Sequence, residues 1–184
     1  EGTTFRYRPL IGVLKASPQR SEQIQLSEQL TLRLFAEAGV VTQPAEFGRT
    51  IYGKPQLRWR RDCSFNHSIS NTGPITVGVL SEGAIGIDVE VENRRIGVSP
   101  TLLLRRMFKT ERDAAACLER WSFMQLWTIK EAVLKASGYG LAGGLSNVAL
   151  DRQRGSAECF GQLYSLTLLR WRQYLITIAA QDVD

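Results

Sequence analysis

The sequence predicts an α+β fold made of two similar halves, and three observations carry that prediction. Each half reads as a strand, then helix, then a run of short strands. The opening strands resemble each other, Ile11-Gly12-Val13-Leu14 against Ile85-Gly86-Ile87-Asp88. Clusters of Gly, Pro and Asn punctuate the strand runs as turns do. Halves spanning residues 1–82 and 83–184, meeting near Ser81 to Gly83 about a pseudo-twofold axis, would enclose a cleft between them, a frequent place for ligand sites.

The elements follow in order. A strand is expected over about 7–15, then a helix from Ser21 to Ala38 with Ser21 as N-cap and Gly39 as its stop. Strands near 47–52, 63–70 and 75–80 are separated by turns at Gly53-Lys54-Pro55 and Asn71-Thr72-Gly73-Pro74. The second half opens with a strand over 84–91. Helices follow over 99–107 and 110–137, the second opened by a Thr110/Asp113 capping box in its acidic variant. Phe123, Trp127 and Leu134 lie on one line of that helix and Leu126, Ile129 and Val133 on another, so little of it faces water. After the Gly138-Tyr139-Gly140 break come short strands near 147–150, 157–160, 164–169 and 174–180.

Composition bounds the function without choosing it. The 184 residues, 43% hydrophobic and 22% charged, are enough to bury a core, which excludes disorder as the default. No run approaches the roughly 18 apolar residues of a membrane span, and no charged-then-apolar leader opens the chain, so a cytoplasmic protein with no membrane partner is expected. Cys63, Cys117 and Cys159 are widely spaced with no CxxC pair, which reads as small buried hydrophobes rather than a disulfide framework or zinc site. The net charge of +5 favours an anionic partner: nucleic acid, a phosphorylated cofactor or an acidic protein.

Two stretches carry chemistry. Glu131 lies at the edge of the apolar stripe of its helix, four residues before Lys135. Alone, such a pair reads as a weak surface ion pair. Bordering an apolar surface, however, the carboxylate needs a cation or donors to stay ionised. In the strand Gly86-Ile87-Asp88-Val89-Glu90, Asp88 and Glu90 share a face about 7 Å apart, and Glu92 continues it. Either this is a solvated acidic face, or a cation relieves the repulsion. Carboxylates with no nearby His or Cys would then specify Mg²⁺, or Mn²⁺, rather than zinc.

GIDVE, followed about forty residues later by WTIKEAVLKASGYGL, resembles the two signature motifs of the Sfp-type 4'-phosphopantetheinyl transferases. The second motif matches from Trp127 through Lys130, Glu131, Ala132, Lys135, Gly138 and Gly140 to Leu141. The segment Arg106 to Glu111 resembles a further element of the family, as do Gly53-Lys54-Pro55 and Phe65-Asn66, so the likeness covers about 52–141. It implies the 4'-phosphopantetheinyl transferase fold, with coenzyme A as substrate, Mg²⁺ as cofactor and an acidic apo acyl or peptidyl carrier protein as partner. The arm of coenzyme A passes to a carrier serine and adenosine 3',5'-bisphosphate is released, in the manner of a holo-acyl-carrier-protein synthase. The resemblance further implies Asp88, Glu90 and Glu131 as metal ligands, Lys135 at the pyrophosphate and Glu131 as base for the serine. Gly53, Lys54, Pro55, His67, Ser68, Lys130 and Lys135 are implied on the coenzyme A side, in a monomer.

One departure is visible. The family commonly reads F-N-x-S-H-S, whereas Phe65 to Ser70 reads FNHSIS, with Ile69 at the histidine place and His67 two residues earlier. His67 is therefore either a cleft residue or a structural one. With no basic residue over 21–30, Arg20, Lys54 and 58–61 remain candidates for the 3'-phosphate. A coenzyme A-binding homologue without turnover, or a basic nucleic-acid module built on Arg58-Trp59-Arg60-Arg61 and Arg170-Trp171-Arg172, are the alternatives. No nucleic-acid signature motif supports the latter. Met107 and Phe108 stay open between core and a carrier contact.

Overall fold

The structure is a computed structural model that describes residues 10–13, 19–39, 46–49, 55–58 and 65–181; for 46–49 and 55–58 only the backbone is described. The first half contains β1 (Leu10–Val13), α1 (Arg20–Glu37), β2 (Glu46–Arg49), β3 (Pro55–Arg58), β4 (Asn66–Thr72) and β5 (Ile75–Ser81). The second contains β6 (Ile85–Val91), α2 (Pro100–Met107), α3 (Glu111–Leu118), α4 (Phe123–Ala136), β7 (Val148–Asp151), β8 (Ser156–Cys159), β9 (Gln162–Trp171) and β10 (Tyr174–Gln181). The fold is α+β, as the alternation of helical and strand periods predicts.

Two antiparallel sheets dominate, ordered β1-β5-β4 and β6-β10-β9-β8-β7, while β2 and β3 form a separate hairpin. β1 pairs with β5 and β5 with β4, and in the same order β6 pairs with β10 and β10 with β9. The sheets pack face to face. Ile75, Val77 and Val79 of β5 meet Ile85, Ile87 and Val89 of β6 and Tyr174, Ile176 and Ile178 of β10 in one buried cluster. Each such side chain stabilises the fold by roughly 1.5–3 kcal/mol on burial. Outside them lie the helices. Leu30 and Leu34 of α1 pack at Gly78 of β5, and Ala132, Val133, Leu134 and Ala136 of α4 cluster with Ala179 of β10. The order of layers is therefore helix, sheet, sheet, helix.

Several boundaries differ from expectation for local reasons. α1 starts before Ser21, with Gln19 as N-cap, because Glu22 Oε2 accepts the Gln19 N–H at 2.7 Å. The helix expected over 110–137 is two helices. Ser122 and Gln125 form a capping box, Gln125 Oε1 accepting the Ser122 N–H at 2.9 Å, and this starts α4 anew. Of the strand expected over 47–52, residues 50–52 fall outside the described residues; Glu46–Arg49 pairs with β3, which begins at Pro55, inside the expected turn. Met107 (0% exposed) and Phe108 (8%) belong to the core with Trp121, Leu126 and Ile129. Cys117 and Cys159 are buried free thiols, whereas Cys63 falls outside the described residues. No helix among the described residues is long and apolar enough to cross a membrane.

Candidate active site at the seam between the sheets

Because Ile85, Ile87 and Val89 point into the core between the sheets, Gly86, Asp88 and Glu90 take the other face of β6, beneath α4. The helix backbone comes in at Gly86. A Cβ there would stand 2.0 Å from Ala132 O and 2.5 Å from Ala136 N. This approach brings the α4 face carrying Lys135 onto Asp88: Lys135 Nζ donates to Asp88 Oδ1 at 2.7 Å, Ser70 Oγ at 2.9 Å and Ile87 O at 3.1 Å.

Asp88 is buried, and its two oxygens differ. Oδ1 also accepts from Ser70 Oγ at 2.8 Å, whereas Oδ2 is buried with no hydrogen-bond partner. Glu90 is held differently. Arg94 Nη1 donates to both its oxygens, at 2.7 and 2.8 Å, and Thr72 Oγ1 to Oε2 at 3.3 Å. Glu131 completes the group electrostatically. Burial pushes its carboxyl up to about 7, the nearby Asp88 and Glu90 charges push the same way, and Lys135 opposes them. The carboxyl thus stays partly protonated near neutrality unless a cation lies beside it.

Among the described residues no three His, Cys, Asp or Glu side chains converge as they stand into a ready metal cage. The donor set nevertheless fits a hard divalent cation. Asp88 Oδ2 is an oxygen ligand without a partner, and Glu131 is kept protonated in part by neighbouring carboxylates, a repulsion that a cation would offset. Arg94 sits on Glu90 with its side chain 55% exposed. Arg94→Gln is therefore expected to tighten Mn²⁺ binding about fivefold, equivalent to ~1 kcal/mol of lost competition and like-charge repulsion. Calorimetric titration of the two proteins checks this; equal affinities would mean that Arg94 does not compete.

The other candidates scatter. His67 is buried (7% exposed) with its ring edge-on to Phe35 of α1, at 5.6 Å between centroids. Ile69 shares that side of β4, its Cδ1 lying 2.6 Å from where a Cβ on Gly78 would be. The even positions face β6: Ser68 Oγ accepts the Ile87 N–H at 3.1 Å. Gly53 and Lys54 lie outside the described residues, as do 59–61, and Pro55 is described only as backbone at the start of β3. Arg20 starts α1 and is exposed.

Lys130 is not with Lys135. It is 1% exposed, donates to Leu145 O at 3.1 Å and Val148 O at 2.6 Å, and lies 4.2 Å from the Phe108 ring centre. It ties α4 to the chain entering β7, and burial pushes its ammonium down to about 8. Since the unfolded chain keeps this proton up to about pH 10.5, the group's contribution to stability is least favourable below pH 8 and improves as pH rises from 8 to 10.5. In Lys130→Met that improvement should vanish from the pH dependence of urea unfolding. Two buried carbonyls would lose their donor, at ~1–3 kcal/mol each.

Sequence reasoning passed over Ser70, Thr72 and Arg94 as site residues. The alternation Ser68-Ser70-Thr72, three hydroxyls on one face of a strand, was the available signal.

With this geometry in view, comparison with known proteins is decisive. The 4'-phosphopantetheinyl transferase superfamily profile matches residues 84–179. The chain belongs to that superfamily. A Synechocystis protein provisionally named 4'-phosphopantetheinyl transferase slr0495 is 32% identical over 145 residues, 73% of this chain and 56% of that protein. The 4'-phosphopantetheinyl transferase psf-1 of Bacillus pumilus is 27% identical over 62% of this chain and 53% of its own. The 4'-phosphopantetheinyl transferase gsp of Aneurinibacillus migulanus is 26% identical over 63% and 48% respectively. The chain thus spans about half the length of the curated relatives it matches. The superfamily match contains Asp88, Glu90, Glu131 and Lys135, whereas β4, with Ser70, precedes it.

Proposed function

We propose that this chain transfers the 4'-phosphopantetheine arm of coenzyme A to a serine hydroxyl of an apo carrier protein. The observation that carries this reading is the meeting of the two signature stretches, Asp88 against Lys135 at 2.7 Å with Glu131 in electrostatic reach of both, in a chain of the transferase superfamily. In the reaction the serine oxygen bonds to the phosphorus of the phosphopantetheine phosphate. The bond from that phosphorus to the bridging pyrophosphate oxygen breaks, and adenosine 3',5'-bisphosphate leaves.

Attack at phosphorus needs alignment and charge compensation rather than a nucleophile from the enzyme. Lys135, a quarter exposed, supplies a cation fixed against Asp88. Glu131 takes the serine proton. Asp88, Glu90 and Glu131 would hold Mg²⁺ or Mn²⁺, which when bound offsets negative charge on the pyrophosphate. Lys130 supports α4 from its opposite side rather than touching coenzyme A.

In this reading residues 1–82 serve the adenosine side and 83–184 the metal and catalytic groups, the halves being related by a pseudo-twofold axis. The net charge of +5 favours the approach of an acidic carrier. Ile69 and the packing of His67 on Phe35 favour a second reading, a coenzyme A-binding homologue without turnover. Intact-mass analysis of a panel of apo acyl and peptidyl carriers, incubated with coenzyme A and Mg²⁺ or EDTA, tests both. A Mg²⁺-dependent gain of one phosphopantetheine is expected. Coenzyme A binding without any gain would support the second reading.

A further inference from the structure

The seam between β4 and β6 is built unusually. Each is an edge strand of its own sheet, and they lie alongside in the same direction, joined through side chains. Three consecutive even positions of β4 supply the joints. Ser68 Oγ accepts from Ile87 N at 3.1 Å, Ser70 Oγ donates to Asp88 Oδ1 at 2.8 Å, and Thr72 Oγ1 donates to Glu90 Oε2 at 3.3 Å. The hydroxyls therefore step along β6 in register with the two carboxylates on which the proposed metal chemistry depends.

Ser70 is the central joint. Its single proton goes to Asp88 Oδ1 while its oxygen accepts from Lys135 Nζ at 2.9 Å, closing a triangle with the 2.7 Å Lys135–Asp88 pair. Two donors on one oxygen fix the rotation of the carboxyl group, and the other oxygen, Oδ2, is the one left buried with no hydrogen-bond partner. A carboxylate oxygen kept in that state is costly unless a cation meets it. The hydroxyl sets which oxygen that is.

We infer that Ser70 is a positioning residue for the metal centre: through Oδ1 and Lys135 it turns Asp88 so that Oδ2 faces the cation, and Thr72 steadies Glu90 in the same way. The inference rests on the transferase reading above, in that Asp88 is taken as a metal ligand. It adds that β4, which lies outside the superfamily match, sets the geometry of ligands carried by β6. Outer hydrogen-bond partners of metal ligands commonly carry tenfold to hundredfold of the affinity.

The test is Mn²⁺ titration of the full chain by calorimetry, for the wild type, Ser70→Ala, Ser70→Thr and Asp88→Asn, with urea unfolding of each. Ser70→Ala is expected to weaken Mn²⁺ binding about tenfold while still unfolding in one cooperative transition, at somewhat lower urea than the wild type, and Ser70→Thr, which restores a hydroxyl, to bind within about twofold of wild type. Thr72→Val should show a smaller loss, in keeping with its longer bond. Unchanged Mn²⁺ affinity in Ser70→Ala, where Asp88→Asn loses it, would overturn the inference and leave the transferase reading standing. Unchanged affinity in Asp88→Asn as well would overturn both. Loss of affinity that Ser70→Thr fails to restore would assign Ser70 to packing of the seam rather than positioning.

Discussion

Asp88→Asn is expected to lower phosphopantetheine transfer by about 10³-fold or more while leaving the fold intact. The side chain keeps its shape, and its amide oxygen still accepts from Ser70, so the seam survives. What goes is the negative charge at the oxygen that lacks a partner and the counter-charge for Lys135. A second readout separates electrostatics from shape. Asp88 is one of the charges that hold the Glu131 carboxyl near 7, so its neutralisation should move Glu131 down, which carbon-detected NMR titration would report. Turnover that survives in Asp88→Asn would remove the metal argument altogether.

Gly86→Ala is expected to destabilise the protein by about 3 kcal/mol, the upper range for forcing extra volume into a packed interior. The added methyl would meet two backbone atoms of α4, at 2.0 and 2.5 Å, and a helix backbone cannot turn aside as a side chain does. α4 would have to lift from β6, carrying Glu131 and Lys135 with it, so activity should fall together with stability. Gly12→Ala is the control. There the three nearest atoms all belong to the side chain of Leu26, the first being Cδ1 at 2.9 Å, and a cost of about 1 kcal/mol or less is expected. Urea unfolding of both variants decides the matter; equal costs would show that close helix approach is not what Gly86 provides.

Much of the site was legible because it is written in short, periodic stretches. Asp88 and Glu90 share a face by strand alternation, and Glu131 with the apolar stripe marks α4 by helical spacing. The structure brings Asp88 to Lys135 and leaves Glu131 sensing both carboxylates. Lys130 shows the limit. In sequence it is as prominent as Lys135, yet five residues of helix rotate it onto another side, where two carbonyls and an aromatic ring surround it. Ser122 shows another: a capping box inside a continuous apolar pattern splits one expected helix into two, because local hydrogen bonds to the first turn outweigh the run of periodicity.

The sequence by itself determined the α+β class, most strand positions and the identities of the acidic and basic groups, since each depends on residue type and on spacing within one element, and its motifs resemble those of the family. Only the tertiary structure decided how those groups are shared out. Two edge strands from different sheets meet at a seam, Ser70 binds one oxygen of Asp88 and leaves the other without a partner, and Arg94 occupies Glu90. These contacts join residues up to 65 positions apart, as Ser70 and Lys135 are. Spacing along a strand or helix fixes which face a side chain takes, whereas which face it meets depends on how whole layers pack.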